Sequence, residues 1–214
     1  PQAKIITAAT LRRRGDRPLH FGEGDLASVL RAIRYVVDHG AKVVNCSFGT
    51  PVSHADLARL NQLPIWDDLE QRGVVLVCAA GNDNSNNDER PVFPANLPRE
   101  NVISAMAIDA AGRPGRAPDP RTGEWKPFTN YGPTTVDLAA PGTLILGIHR
   151  SDDVAVTSGT SYATAWATAA FVLRECDGYM CPRPIRRSAH LESQCVTEGI
   201  IDVAHIARNR SSSN

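Results

Sequence analysis

Residues 73–82 read GVVLVCAAGN, in which seven apolar residues run from Val74 to Ala80 before a glycine–asparagine pair. A short apolar run bounded by glycines is typical of a strand buried on both faces of a sheet. The runs KVVNCSF at 42–48 and VISAMAI at 102–108 have the same character. Because helix-length segments separate the runs, we predict a three-layer α/β fold, in which helices cover both faces of a twisted, mostly parallel sheet.

The segments around these runs predict the remaining elements. An apolar stripe over Asp25–His39 predicts a helix with Asp25 as its N-cap and Gly40 as its stop. The other predicted elements are a strand at Ala3–Ala9, an imperfect helix at Ser53–Arg72 interrupted by Pro64, loops and turns at Asp109–Pro133, a strand at Thr135–Ala139, and helices at Ser161–Glu175 and Ile201–Ala207. Residues 209–214 are predicted to be a disordered tail.

Charge and composition exclude several classes of protein. The 23 lysines and arginines balance 23 aspartates and glutamates, so no broad basic surface for nucleic acid or anionic membrane is expected. The longest apolar run has seven residues, whereas a spanning helix needs about 20. No targeting segment is visible at the start of the chain, Pro1-Gln2. We therefore expect neither nucleic acid nor a membrane among the partners.

The five cysteines fall into two groups. Cys46 and Cys78 lie in apolar runs and are predicted to be buried thiols. Cys176, Cys181 and Cys195 cluster near the C-terminus, where one disulfide would leave one thiol free. Their spacings suit zinc poorly, so no metal site is predicted and the pairing stays open.

Two short segments carry residues suited to nucleophilic catalysis. Ser161 follows Gly159-Thr160 at the predicted start of a helix, where the helix dipole favours negative charge and the serine N–H can face an oxyanion. Asn82 follows a buried strand at the edge where α/β folds place their sites, and its amide is a second oxyanion donor. Plainer explanations also fit, since Ser161 could cap the helix and Asn82 could belong to a turn.

Seven ordered segments, including these two, resemble the subtilisin-like serine proteases, or subtilases. The segments are KVVNCSFG at 42–49, GVVLVCAAGN at 73–82, FPA at 93–95 followed by NVISAMA at 101–107, FTNYG at 128–132, VDLAAPG at 136–142, GTSYA at 159–163 and GIIDVAHIA at 199–207. Together they extend over nearly the whole chain. The resemblance implies the subtilisin-like form of the predicted fold and the hydrolysis of peptide bonds.

The resemblance also implies individual roles. Ser161 would form the acyl-enzyme, and Asn82 with the Ser161 backbone N–H would form the oxyanion hole. Ser47, Phe48 and Gly49 would hold the substrate as an added strand. The primary specificity pocket would be lined by Ala79, Ala80 and Gly81. Implied partners are a peptide or protein substrate and an inhibitory propeptide, and the implied location is extracellular.

The chain departs from the family in its acid and its base. The subtilase triad runs Asp, His, Ser along the chain, and the motifs of the first two, D-[ST]-G and H-G-T-H, are absent. His39 comes nearest, but it ends a predicted helix. The resemblance therefore implies that Pro1 follows the catalytic His of a longer protein. Residues 1–208 would then be the C-terminal portion of one catalytic domain, inactive without the missing residues.

Two alternatives stay open. A catalytically dead module that binds peptides or another protein would also lack the Asp and His motifs, although it has no need of an oxyanion hole. An α/β-hydrolase needs a G-x-S-x-G elbow, and Ala163 stands at its last position. No cofactor is required. Calcium is a candidate ion for the amide- and acid-rich loop Asn82–Glu89, for which a solvated loop is the simpler interpretation.

Overall fold

A computed structural model describes residues 3–9, 12–13, 22–148, 154–177 and 185–201. The elements in chain order are β1 (Arg12–Arg13), β2 (Gly22–Glu23), α1 (Leu26–Asp38), β3 (Val43–Cys46), β4 (Thr50–Pro51), α2 (His54–Asn61), α3 (Ile65–Gln71), β5 (Val75–Ala79), β6 (Val92–Phe93), β7 (Val102–Ile108), β8 (Arg116–Pro118), β9 (Trp125–Pro127), β10 (Leu138–Pro141), β11 (Ile145–Ile148), β12 (Val154–Thr157), α4 (Thr160–Asp177), β13 (Ile185–Arg187), a 3₁₀ turn (Ala189–Leu191) and β14 (Gly199–Ile201). None of the helices in this described part is long and apolar enough to cross a membrane.

The centre of the fold is a six-stranded sheet in the order β13-β14-β10-β7-β5-β3. Neighbouring strands from β14 to β3 pair in parallel, and only β13 at the edge pairs antiparallel. The predicted mostly parallel sheet is therefore confirmed. Within the described residues, four two-stranded pairs lie outside it: β1-β2, β4-β6, β8-β9 and β11-β12.

Helices cover both faces of this sheet. Successive residues of a strand point to opposite faces, so neighbouring residues of β5 contact different helices. Val77 packs on one face in a cluster with the alanines of α4, which are Ala163, Ala167 and Ala170. Its neighbours Leu76 and Cys78 pack on the other face with the apolar stripe of α1 and with α3. The small side chains of α4 allow it to lie closely against the strands, and the predicted three-layer α/β architecture is confirmed.

Two of the predicted cysteine environments are confirmed. Cys46 and Cys78 are register partners on β3 and β5, and both are fully buried. A hydrogen bond with Cys46 and burial raise the pKa of Cys78 well above its ordinary value, so this thiol stays protonated. Cys195 is also buried, with no bonded sulfur among the described residues. Cys181 and the side chain of Cys176 lie outside the described part of the chain.

The first predicted helix is confirmed and the second is divided. The Asp25 carboxylate accepts the Ser28 N–H at 2.8 Å as the N-cap of α1, and Gly40 ends the helix with a φ of 95°. The single helix predicted at Ser53–Arg72 is two helices, α2 and α3. Proline has no N–H to continue a helix, and α3 begins directly after Pro64.

Three further predictions need correction. Residues Ala3–Ala9 form no strand: among the described residues they have no ladder partner, and Ile5 is 88% exposed. The stretch Asp109–Pro133 contains the hairpin β8-β9 within its turns, because Arg116 pairs with Pro127. The strand predicted at Thr135–Ala139 begins later, at Leu138, where pairing with β7 begins.

The C-terminal predictions are only partly covered. Ile201, predicted to begin a helix, is the last residue of strand β14 and pairs with β13. The rest of that helix and the tail at 209–214 lie outside the described residues.

Asp137 carries a half-buried carboxyl group next to β10. It accepts the Ser104 backbone N–H at 2.7 Å, which favours the charged form. Burial outweighs this hydrogen bond and raises the pKa of Asp137 from 3.8 to about 6. The folded protein therefore holds this proton more tightly than the unfolded chain does.

We expect the stability of the fold to rise as the pH falls through the pKa of Asp137. Lowering the pH from 8 to 5 should add about 1 kcal/mol to the free energy of unfolding through this carboxyl, and the contribution is lost again as the pH rises past 6. Asp137→Asn, which keeps the acceptor for Ser104, should lack this component. Urea unfolding of both proteins across this range measures the difference. Parallel pH dependences would contradict the assignment to Asp137.

Candidate active site

The candidate site lies at the edge of the sheet where the parallel strands end. Strand β3 leads into Ser47 and β5 leads into Gly81-Asn82. The N-terminus of α4 lies at the same edge, because the Ser161 hydroxyl donates to the backbone carbonyl of Ser47 at 3.0 Å. Three segments that are far apart in sequence are thus brought together at the position where α/β folds place their sites.

Ser161 is the second residue of α4, which begins at Thr160. Its Oγ is half-buried and donates to a carbonyl on another segment, so the explanation that Ser161 caps the helix is wrong. At this position the positive end of the helix dipole favours negative charge on a group bound to the serine. The location suits a nucleophile.

Asn82 performs the capping instead. Its Oδ1 accepts the Thr160 N–H at 2.8 Å and the Thr160 hydroxyl at 3.0 Å. Thr160 Oγ1 in turn accepts the Gly81 N–H at 3.2 Å. Since the oxygen is held in this way, the amide has a set orientation. Its Nδ2, which has no partner among the described residues, lies 3.7 Å from the position of a Cβ on Gly159 and is available as a donor next to the serine turn.

Thr160 is a functional residue that sequence reasoning missed. It is fully buried, and it joins the strand end at Gly81 to the start of α4 through one hydroxyl group. The signal was present in the segment GTSYA, but a threonine before a candidate serine has no distinctive pattern of its own.

Ser47 contacts the serine turn from the other side. Its Oγ donates to the backbone carbonyl of Ser161 at 2.9 Å and accepts from Asn45 Nδ2 at 2.9 Å. The Asn45 oxygen accepts from Thr168 of α4 at 3.0 Å. Ser47 and Ser161 therefore exchange hydrogen bonds, each hydroxyl to the other's carbonyl. The first turn of α4 is held between Asn82 and Ser47.

The predicted substrate-binding residues lie around this turn. Phe48 is half-buried and Gly49 is exposed. A Cβ on Gly49 would lie 2.7 Å from Val92 Cγ1, so the buried Val92 packs directly behind this segment. Sequence reasoning did not single out Val92, because a two-residue strand such as β6 leaves no distinguishing pattern in the sequence.

On the neighbouring strand, Ala79 and Ala80 have buried side chains, whereas Gly81 is half-buried. Gly81 has a φ of 116°, and a Cβ there would collide with the amide nitrogen of Asn130. Only glycine adopts this positive φ without strain and also leaves room for the Asn130 amide.

A network of buried asparagines holds the loop that carries Asn82. Asn130, 1% exposed, donates to Ala80 O at 3.1 Å and to Asn87 Oδ1 at 2.9 Å. Its own oxygen accepts the backbone N–H groups of Asp83 at 2.8 Å and Ser85 at 3.1 Å. These residues flank Asn82, so Asn130 acts as a positioning residue for the candidate oxyanion donor.

Asn130→Ala is expected to lower the free energy of unfolding by about 2–4 kcal/mol, because it leaves the Asp83 and Ser85 N–H groups and the Asn87 side-chain oxygen Oδ1 without their partner. Urea denaturation measures the change. Asn84→Gly is a matched control, since Asn84 is exposed and has a φ of 50° that glycine adopts readily; it should change stability by less than about 0.5 kcal/mol. Equal effects of the two substitutions would contradict the role of the network.

Two of the described histidines, His39 and His54, take part in other contacts. His39 caps α1, and its Nδ1 lies 2.7 Å from Tyr35 O. His54 Nε2 lies 3.3 Å from Glu89 O, and none of the described histidines hydrogen-bonds to Ser161. His20, His149 and His205 are outside the described residues.

Two acidic side chains of the loop Asn82–Glu89 accept hydrogen bonds from neighbouring residues. The Asp88 carboxylate accepts the Thr135 hydroxyl at 2.6 Å and the Thr134 N–H at 3.2 Å, and Glu89 accepts from Asn86 at 3.1 Å. Within the described part of the chain no group of three or more His, Cys, Asp or Glu could hold a metal ion. Calcium stays a prediction from sequence.

Comparison with known proteins points to one family. A sequence model of the subtilase family matches residues 7–187. The thermophilic serine proteinase of Bacillus sp. (strain AK1) is 32% identical over 164 residues, which cover 77% of this chain and 34% of that protein. Thermitase of Thermoactinomyces vulgaris is 30% identical over 164 residues, covering 77% of this chain and 48% of thermitase. The chain thus spans a third to a half of the length of these relatives.

A solved structure supports the same likeness. The prenylagaramide maturation protease PagA is 26% identical and superimposes with a TM-score of 0.56, covering 74% of this chain and 53% of that one.

Proposed function

The chain belongs to the subtilase family, and from that premise we propose that it is the nucleophile-bearing part of a serine endopeptidase. One observation carries the proposal. The Ser161 hydroxyl at the start of α4 lies beside an asparagine whose oxygen is fixed by Thr160 and whose amide nitrogen has no partner among the described residues. A binding surface would not require this fixed donor next to a nucleophile.

The proposed reaction is acyl transfer to Ser161. Its Oγ attacks the carbonyl carbon of the scissile peptide bond while a base takes the hydroxyl proton. The carbonyl oxygen becomes an oxyanion, which accepts hydrogen bonds from Asn82 Nδ2 and the Ser161 backbone N–H. Return of the proton to the nitrogen releases the amine. Water then hydrolyses the acyl ester by the same steps and restores the serine.

The base and its orienting acid are proposed to come from outside these residues. Two of the described histidines, His39 and His54, contact other groups, and the chain spans 34% to 48% of the two relatives. We place both residues upstream of Pro1, so that residues 1–208 are the C-terminal portion of one catalytic domain. The isolated chain should then be inactive. A peptide or protein substrate, an inhibitory propeptide and secretion belong to the same proposal.

Labelling with phenylmethanesulfonyl fluoride tests this function. The reagent sulfonylates an activated serine with loss of fluoride, so the peptide that contains Ser161 should gain mass in the complete protein isolated from its source. The same chain expressed as residues 1–214 should react far more slowly. If the complete protein hydrolyses peptides but Ser161 stays unmodified, the assignment is wrong. If the complete protein shows no hydrolysis and no labelling but binds peptides tightly, this result would support the alternative of a catalytically dead binding module.

A further inference from the structure

A surface groove of about 1040 Å³ lies beside the candidate site, where β7 and β10 end. Its walls come from the turn after β7, the hairpin β8-β9 and the segment Thr143-Leu144. Trp125 and Leu144 present apolar surface there, being 47% and 52% exposed. All of the lining residues fall outside the seven segments that resemble the subtilases. The roles carried over on those segments therefore assign nothing to this groove.

Hydrogen bonds connect the groove wall to the serine turn. The Thr143 N–H donates to Ile108 O at 3.1 Å, and the Leu144 N–H donates to Ser158 Oγ at 2.9 Å. The residue before this wall, Gly142, accepts the Gly159 N–H at 2.8 Å. The groove wall and the segment that leads into the candidate nucleophile are thus hydrogen-bonded to each other.

The order of the strands determines which part of a substrate reaches the groove. The segment Ser47–Gly49, which the family resemblance implies holds the substrate as an added strand, follows β3 at one side of the sheet, and we assign the acyl side of the substrate to it. Asn82 follows β5, and the groove follows β7 and β10 on the far side. Strands are about 4.8 Å apart and an extended peptide advances about 3.3 Å per residue. The second or third residue after the scissile bond would therefore lie over the groove.

The chemistry of the groove defines what it would accept. Trp125, Leu144 and Pro114 supply apolar surface for a large side chain. Arg113 is paired with Asp109 at 2.8 Å, whereas the exposed Arg116 has no ion-pair partner among the described residues and donates to Trp125 O. One free positive charge beside apolar surface is complementary to a carboxylate next to an aromatic or large aliphatic group.

We propose that this groove binds the leaving-group side of a peptide substrate and selects a large apolar residue followed by an acidic residue. The proposal rests on the proposed function, since it places the groove on one side of an acylated Ser161. It adds a substrate preference that the residues carried over from the family do not specify.

Kinetics with matched substrates test the preference in the complete protein. One substrate ends in p-nitroaniline directly after the acyl-side residues, and the others continue with Gly-Phe-Glu or Gly-Phe-Gln. We expect Trp125→Ala to lower kcat/KM about tenfold more for the Gly-Phe-Glu peptide than for the p-nitroanilide. Arg116→Gln should remove the discrimination between Glu and Gln. Tyr35 on α1 is another half-exposed aromatic residue, so Tyr35→Ala is the matched control. It should leave unchanged the ratio of kcat/KM for the Gly-Phe-Glu peptide to that for the p-nitroanilide, and the ratio for the Glu and Gln peptides.

Equal effects of Trp125→Ala on the two kinds of substrate would overturn the proposal. A binding measurement separates this failure from a failure of the proposed function. Fluorescence anisotropy of a labelled Gly-Phe-Glu-containing peptide on the Ser161→Ala protein needs no catalysis, and Trp125→Ala should weaken that binding about tenfold. If the complete protein with Ser161 intact does not hydrolyse peptides but this weakening of binding is seen, the groove proposal is supported and the protease assignment is wrong. If binding is the same with and without Trp125, the groove proposal falls.

Discussion

Ser161→Ala is expected to abolish peptide hydrolysis by the complete protein, with a loss in kcat of at least about a thousandfold. Alanine keeps the helix, since it is a good helix former and Ser161 does not cap α4. What it removes is the oxygen proposed to form the acyl-enzyme. The residual rate would come from oxyanion stabilisation and substrate binding alone.

Steady-state kinetics on a p-nitroanilide peptide measure this loss, with circular dichroism to verify the fold. Tyr162→Phe is the matched control, because it removes the hydroxyl of the neighbouring residue and should change kcat by less than about twofold. A Ser161→Ala protein with full activity would exclude the acyl-enzyme mechanism for this chain.

Asn82→Ala should lower kcat about 10²–10³-fold and change KM little, because the amide nitrogen meets the substrate oxygen only as negative charge develops. The substitution also removes the acceptor for the Thr160 N–H and hydroxyl. Part of the loss could therefore come from a displaced serine turn rather than from the missing donor.

Asn82→Asp separates the two effects. Aspartate keeps an oxygen for Thr160, so the first turn of α4 stays in place, but it presents no N–H to the oxyanion and adds a negative charge beside it. We expect the Asp variant to be as inactive as the Ala variant while unfolding close to the wild-type urea concentration. An active Asp variant would mean that Asn82 acts only as a helix cap.

Much of the fold follows from local patterns. Buried strands β5 and β7 are visible as apolar runs, and α1 is visible from its apolar stripe between Asp25 and Gly40. These patterns work because burial on both faces leaves little room for polar residues. Ala3–Ala9 has the same apolar character but pairs with no strand among the described residues, since a strand also requires a partner for its backbone groups.

The candidate site could be predicted only through its motif residues. Ser161 and Asn82 were identified from sequence because each stands in a segment that resembles a known family. Thr160 and Asn130 were not, although their side chains orient those two. A positioning residue is defined by the partner it reaches in space, and Asn130 lies 48 positions from the residue that it supports.

By itself, the sequence determined the layer architecture, the family and the identity of the candidate nucleophile and oxyanion donor, because these depend on residue type and on order along the chain. Tertiary structure alone decided that Asn82 rather than Ser161 caps α4, that Ser47 and Ser161 exchange hydrogen bonds, and that a groove with Trp125 adjoins the serine turn. Each of these features joins segments separated by tens of residues. Hydrogen bonds and shared surfaces of this kind arise only once the parallel sheet has brought its strand ends to one edge.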